Sequence, residues 1–332
     1  MKLTAFFLTP LLFAFNSLNL STVNYNPSQA TGARELTDVE GVAYAKNLVD
    51  WKGKRVDSLQ FNLFYPTGAS SKQKYPLVVI CHGGGFSGGN RFNVTALCDR
   101  LADEGFATVG FDYRTGYNNG GDLPNCTADS ISMKNAIYRA IQDVNACIRF
   151  LVANSEKYNI DTSKIFLGGS SAGATLALNA AYIDDSTAKI YFKEQFNLLG
   201  GPQSSGGNVT TAYTLKGIVD MWGSVVSNQL INTKYRAYPT IIFKGEEDGG
   251  TPDSAGHMFE CSNYPVVYAG IAIYDRLQQQ NVSSIFHFLQ NANHPAYDEQ
   301  FCAQESACFL NAIIKRGKTK SGQFSGYESG CK

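Results

Sequence analysis

Charge of one sign is missing from this chain: 28 basic and 28 acidic residues cancel over 332 positions. No basic stripe argues for a nucleic-acid partner, and no like-charge block suggests a charged tail. Long apolar runs are missing as well. The apolar run near the start, Leu3 to Phe15, is too short to span a bilayer, and no later segment is long enough to cross one. Metal-ligand spacing is lacking: there is no H-E-x-x-H and no paired C-x-x-C, so no zinc site is expected. Histidine is scarce, with four in the whole chain, which shortens the search for a catalytic base. No internal repeat is present.

What is there suits one large α/β domain or two small ones, with 44% hydrophobic and 17% charged residues. Residues 1–21 have the form of a secretory signal, with Lys2 as the positive start and the apolar run behind it. Cleavage is open between Asn16-Ser17 and Asn19-Leu20-Ser21. The expected location is therefore secreted or periplasmic. Residues 22–38 are polar and read as a loose lead-in. The domain is expected over 39–316, followed by a Gly/Ser-rich tail, 317–332, that is mobile unless Cys331 is tied down. Export permits disulfides among the eight cysteines. Cys81, Cys98 and Cys147 lie in apolar patterns and read as small core residues. Cys126, Cys261, Cys302, Cys308 and Cys331 are the disulfide candidates, with no pairing assigned. Asn93, Asn125, Asn208 and Asn281 begin glycosylation sequons, relevant only where the host glycosylates.

Apolar runs bounded by turn residues predict strands at 43–49, 59–65, 77–81, 107–112, 164–167, 215–220, 240–244 and 284–289. Helical spacing predicts helices over 94–104, 131–153, 174–182, 266–279 and 303–315. Residues 184–214 form a polar, Gly-rich excursion that is expected to shape a rim or lid near the site. The alternation of β and α predicts a mostly parallel, doubly wound sheet covered on both faces.

The richest local pattern is Gly169-Ser170-Ser171-Ala172-Gly173, set between the strand Lys164–Leu167 and the helix that follows. A G-x-S-x-G at a strand-to-helix turn is a nucleophile elbow: the sharp turn lifts the serine hydroxyl clear of the sheet, and its neighbours must be small. A second match, Gly85-Phe86-Ser87-Gly88-Gly89, is not followed directly by a helix, so Ser87 is read as a decoy and Ser171 as the nucleophile. A serine nucleophile needs a base, an orienting carboxylate and oxyanion donors. His294 follows the last parallel strand, after nucleophile and acid in chain order, and is the expected base. His82 is expected to brace a glycine loop, His287 to be structural, and His257 to be a minor cleft-lining candidate. Asp248 is the expected acid, with Glu247, Asp253 and Asp220 as alternatives. The run His82-Gly83-Gly84-Gly85-Phe86 after a strand points to an oxyanion hole built from the amides of Gly84, Gly85 and Ala172. Phe86, Tyr113, Trp222 and the excursion are candidates for lining the cleft.

In this order, HGGG, G-x-S-x-G, Gly-x-x-Asp-x-x-x-Pro and Asn-His-Pro resemble the α/β-hydrolase superfamily, over roughly residues 40–316. The chain looks most like HGGG carboxylesterases, including the hormone-sensitive-lipase-like group, and is similar to secreted esterases that remove acetyl or feruloyl groups from plant polysaccharides. That resemblance implies two-step acyl transfer on a small-molecule or polymer-linked ester, with no metal or organic cofactor. It also assigns a bracing role behind the site to Asp112-Tyr113-Arg114 and Gln142-Asp143. Two positions depart from the pattern: Ser170 stands where many relatives carry Asp or Glu, and Ala174 where a further glycine is common. No helical cap domain precedes the first strand, which favours an open cleft. Two other classes compete: a non-catalytic binding protein on the same fold, and a nicotinamide-dependent oxidoreductase suggested by Gly83-x-Gly85-x-x-Gly88 with Asp112. Against the second, Asn90-Arg91-Phe92 delays the helix that should open within the glycines.

Overall fold

The computed structural model describes residues 36–118, 126–207 and 209–330. The expected signal segment, nearly all of the lead-in, Asn125, Asn208 and Cys331 lie outside the described residues. In chain order the strands are β1 (Val39–Val49), β2 (Arg55–Phe64), β3 (Tyr75–Cys81), β4 (Ala107–Phe111), β5 (Ile160–Ser170), β6 (Leu215–Met221), β7 (Ser224–Val225), β8 (Thr240–Gly245), β9 (Ala255–His257), β10 (Val266–Ala269), β11 (Ser284–Leu289) and β12 (Gly322–Ser325). The helices are α1 (Thr95–Asp103), α2 (Ser130–Ala153), α3 (Ala172–Tyr182), α4 (Asp185–Tyr191), α5 (Lys193–Leu199), α6 (Gly270–Gln279) and α7 (Glu299–Arg316).

Among the described residues, nine strands form one sheet in the order β1-β2-β4-β3-β5-β6-β8-β11-β12. Pairing is antiparallel from β1 through β2 to β4 and parallel in the remaining pairs. The parallel strands are continuous buried runs, such as Leu77–Cys81 and Ile165–Gly169, which is the pattern of a sheet covered on both faces. One core joins the sheet to α2, α3 and α6, through residues such as Ile141, Leu176 and Ile273. The other joins it to α1 and α7, through Leu97, Leu101, Phe309 and Leu310. Helix starts follow local chemistry. Asp129 caps α2 by accepting from Ser132 N at 2.7 Å, and Asp298 caps α7 by accepting from Phe301 N at 2.9 Å. Among the described residues no helix is long and apolar enough to cross a membrane.

Four sequence expectations change. Residues 266–269 are a strand, not helix: β10 pairs with β7 and β9 in a small second sheet, and α6 starts at Gly270. The excursion contains two helices, α4 and α5. Its return segment is bonded along α2, where Gln142, Asn145 and Arg149 donate to the carbonyls of Leu199, Pro202 and Val209. The Gly/Ser-rich tail adds β12 in parallel to β11, with Phe324 beside His287. Of the disulfide candidates, Cys126 pairs with Cys261, and Cys308 is also disulfide-bonded. Cys302 is corrected to a free thiol, because α7 turns it into the core.

Candidate active site

Five elements deliver side chains or loops to the same end of the sheet, beyond the C-terminal ends of β3, β5, β6, β8 and β11, where open α/β sheets place their sites. Ser171 sits between β5 and α3 with φ 59° and ψ −122°. That region is strained for a residue with a side chain. Ser171 N donates to Met221 O at 2.9 Å, which pins the turn against β6. Ser171 occupies the N-cap of α3 but makes no capping bond, so its hydroxyl stays available. The flanking glycines are required by packing. A Cβ on Gly169 would lie 2.4 Å from Gly173 C, and one on Gly173 would lie 2.0 Å from Cys81 O.

The hydroxyl has a partner across the site. His294 Nε2 lies 2.7 Å from Ser171 Oγ, and His294 Nδ1 lies 2.8 Å from Asp248 Oδ1. Asp248 is buried, while a quarter of the His294 side chain is exposed. The acid is held from every side. Oδ1 also accepts from Gly250 N at 2.8 Å and Thr251 N at 3.2 Å, and Oδ2 accepts from Thr251 Oγ1 at 3.1 Å. Lys244 Nζ ion-pairs with Oδ2 at 2.9 Å. Burial alone would raise the Asp248 carboxyl. The hydrogen bond from His294 and the charge of Lys244 outweigh burial and hold it well below the usual carboxylate range. Of the alternatives, Glu247 and Asp253 are exposed. Asp220 is buried and accepts from Gly223 N at 2.7 Å; burial pushes its carboxyl up to about 7.

The glycine loop passes directly over the elbow: a Cβ on Gly83 would lie 3.4 Å from Ser171 Cβ. Gly84 takes φ 111°, and a Cβ there would lie 2.5 Å from Gly88 O, so only glycine fits. Its carbonyl accepts from Ser87 N at 3.0 Å and Gly88 N at 3.2 Å, which closes the loop. Gly85 follows at φ 59°. Ala172 is the first residue of α3, where a backbone N–H has no partner within the helix. His82 braces the loop as expected. Its ring stacks on Tyr113 at 4.0 Å, and Tyr113 Oη donates to His82 O at 2.8 Å. Burial lowers the His82 imidazole to about 4, so it stays neutral at physiological pH. Behind it, Arg114 forks onto Asp143, with Nη2 at 2.8 Å from Oδ1 and Nε at 2.9 Å from Oδ2.

Other expected roles fall differently. The Ser87 hydroxyl donates to Gly84 O at 3.1 Å, and among the described residues no hydrogen bond joins it to His294 or Asp248. His257 is fixed to Tyr264 O at 2.7 Å, and His287 is buried against Phe243. Phe86 and Tyr113, expected to line the cleft, are both buried in the main core cluster; Phe86 takes φ 60°, and Tyr113 is bonded to and stacked on His82. Trp222 is also buried. Its indole Nε1 donates to Ser170 Oγ at 3.1 Å, and its ring meets His294 edge-on at 6.1 Å, so it packs directly against the site. Ser170 thus replaces the common acid with a hydroxyl that accepts the indole. Sequence reasoning missed Lys244. The one available signal was a lysine ending an apolar strand four residues before the acid.

A mostly parallel sheet with helices on both faces, a strained serine elbow and a histidine–carboxylate pair define the α/β-hydrolase class, within which this chain is a carboxylesterase. Residues 61–247, more than half of the chain, match the BD-FAE family model, and the chain belongs to that family of α/β-hydrolase-like esterases. It is therefore an enzyme, an esterase. The matched span holds the glycine loop and Ser171 and stops one residue before Asp248. No curated protein matches the chain. Among solved structures, a truncated carbohydrate esterase from gut microbiota is 14% identical, with a TM-score of 0.55, over 86% of this chain and 99% of that one. Thermogutta terrifontis esterase 2, in a form phosphoramylated by tabun, is 15% identical, with a TM-score of 0.57, over 86% and 97%. Esterase B from Lactobacillus rhamnosis is 16% identical, with a TM-score of 0.54, over 87% and 90%. These likenesses are of fold.

Proposed function

We propose that the protein is a secreted serine carboxylesterase that works through Ser171, His294 and Asp248. The observation that carries this reading is the unbroken chain of hydrogen bonds from Ser171 Oγ through both ring nitrogens of His294 to Asp248. With Nδ1 protonated and donating to Asp248, Nε2 is free to accept the serine proton. Ser171 Oγ attacks the ester carbonyl as His294 takes that proton. The imidazolium is stabilised by Asp248, and the amides of Gly84, Gly85 and Ala172 receive the developing oxyanion. His294 returns the proton to the departing alcohol. Water, activated by the same histidine, then releases the acid from the acyl-enzyme.

For the substrate we infer short-chain or polysaccharide-linked esters, of acetyl or feruloyl type. The carbohydrate esterase among the structural neighbours supports a sugar-linked ester, and a quarter-exposed His294 supports a cleft open to bulky substrates. The Cys126–Cys261 disulfide supports an oxidising compartment. The test is hydrolysis of p-nitrophenyl esters from acetate to dodecanoate, beside acetylated xylan and methyl ferulate. Wild-type activity should fall by at least about 10⁴-fold in Ser171→Ala, with an optimum at short acyl chains. Activity that survives Ser171→Ala would remove the elbow from the mechanism.

A further inference from the structure

Behind the acid lies a group that the three-residue mechanism does not use. Lys244 is 1% exposed and is the next-to-last residue of β8, directly after the apolar run Ile241–Phe243. Its ammonium has three N–H donors and three acceptors: Asp248 Oδ2 at 2.9 Å, Thr251 O at 2.6 Å and Thr251 Oγ1 at 3.1 Å. A buried ion pair is a poor stabiliser, because desolvating both charges offsets their attraction, and an apolar replacement of similar volume is often neutral for folding. A fully satisfied buried lysine that touches the proposed triad acid therefore calls for a reason other than stability.

We propose that Lys244 is a positioning residue of this esterase: with Thr251 it occupies Oδ2 of Asp248, so that Oδ1 is the oxygen presented to His294. The inference rests on the Ser171–His294–Asp248 reading. The geometry divides the carboxylate between two tasks. Oδ2 faces the lysine and the threonine hydroxyl; Oδ1 faces the imidazole and two backbone amides. Lys244 also holds the acid loop by bonding the Thr251 carbonyl, and that loop's Gly250 lies against the imidazole, where an added Cβ would be 3.0 Å from His294 Nδ1.

The titratable groups around the ammonium are Asp248 and His294 at the site, Asp220 on β6 and Asp253 on the acid loop. Asp220 does not compete for the charge as a full carboxylate. One of its oxygens accepts from Gly223 N, and the other is buried with no partner among the described residues; burial pushes its carboxyl up to about 7. Asp253 is exposed. The Lys244 stem, for its part, forms one wall of an apolar cavity of about 420 Å³, shared with Ile271, Phe286, Phe288 and Phe324. That cavity gives a route by which a small amine can replace the side chain.

The test uses the full chain with Lys244→Met, Lys244→Ala and Asp248→Asn, each checked for folding by thermal melting and circular dichroism. Lys244→Met should fold, leave KM near the wild-type value and lower kcat roughly ten- to hundredfold, since a displaced catalytic group of this kind costs about that much. Loss of the neighbouring positive charge makes imidazolium formation easier, so the acid limb of kcat/KM should move to higher pH, by about one unit. In Lys244→Ala, methyl- to propylammonium at millimolar concentration should restore kcat at least about fivefold, and tetramethylammonium, which has no N–H, should not. A folded Lys244→Met with wild-type kcat and pH profile overturns the proposal, as does a lowered kcat with an unmoved acid limb and no amine rescue. If Asp248→Asn collapses activity in those same assays, the triad stands and Lys244 alone is dismissed. If Ser171→Ala and Asp248→Asn both remain active, the triad reading fails and this proposal fails with it.

Discussion

Asp220, near the C-terminal end of β6, and Asp248, in the loop after the neighbouring strand β8, have carboxyls driven in opposite directions. Asp248 receives two amide N–H groups, a hydroxyl, an imidazole and an ammonium, and ionises readily. Asp220 receives one amide and is otherwise sealed in the core. The consequences for stability have opposite signs. The Asp248 contribution is present above the ordinary carboxylate value and is lost as pH falls through its lowered folded value. Asp220 is raised from 3.8 to about 7, so its contribution is fully present below 3.8 and is lost as pH rises through about 7. Asp220→Asn keeps the shape and removes the titration. It should melt with the wild type at pH 4 and above it at pH 8, by an increment on the order of 4 kcal/mol at most. Melting scans across that range decide the matter, and a constant difference at every pH would remove Asp220 from the account. The elbow pattern pointed to Ser171, and the chain order of α/β-hydrolases pointed to His294 and to Asp248, with Glu247, Asp253 and Asp220 left as alternatives for the acid. Lys244 was hidden because a lysine at a strand end usually lifts its charge to solvent, and only the tertiary placement of the acid loop shows this one turned inward.

At the scale of elements, legibility followed periodicity. The buried runs of β3, β6, β8 and β11 and the three–four spacing of α2 were read within two residues of their bounds, while β5, expected over 164–167, runs from Ile160 to Ser170. Where a strand runs into a helix with only a single glycine, Gly270, at the junction, the boundary was lost. Val266–Ala269 is apolar and leads straight into α6, so one helix was expected where a strand of the small sheet comes first. The C-terminal segment failed for the reverse reason: Gly322, Ser325 and their neighbours look unstructured, and β12 exists because β11 offers it an open parallel edge. An edge strand of this kind blunts a pairing hazard. Its anchor is Phe324, which packs against His287 at 5.6 Å and walls the cavity beside Lys244. Phe324→Ala should loosen β12, lower Tm by roughly 3–6 °C, corresponding to about 1–2 kcal/mol, and raise light scattering on heating as the edge of β11 becomes available. An unchanged melt and unchanged scattering would show that β12 contributes nothing to the sheet's stability.

For the whole molecule, the question is what holds loops that are distant in sequence around one site. The sheet aligns strand ends, but the segments that border the acid loop belong to no regular element of the main sheet. The Cys126–Cys261 bond joins the loop before α2 to the turn after β9, across 135 residues. Asn263 Nδ2 adds a bond to Cys126 O at 2.9 Å, and Phe259 N donates to Gly250 O at 3.1 Å, two residues from Asp248. The crosslink is thereby connected to the acid loop through one short stretch of backbone. Its pairing was not readable from the sequence, because eight cysteines allow many connectivities and only the fold brings these two together. Closing a loop of that length limits the unfolded chain by an amount worth up to about 5 kcal/mol in the chain-entropy model. Cys126→Ser combined with Cys261→Ser should therefore lower Tm by roughly 5–15 °C. If the crosslink also steadies Gly250 against His294, kcat on p-nitrophenyl acetate should drop a few-fold at temperatures well below the melt. A lowered Tm with unchanged kcat at 25 °C would confine the bond to stability and leave the acid loop to be held by Lys244 and Thr251.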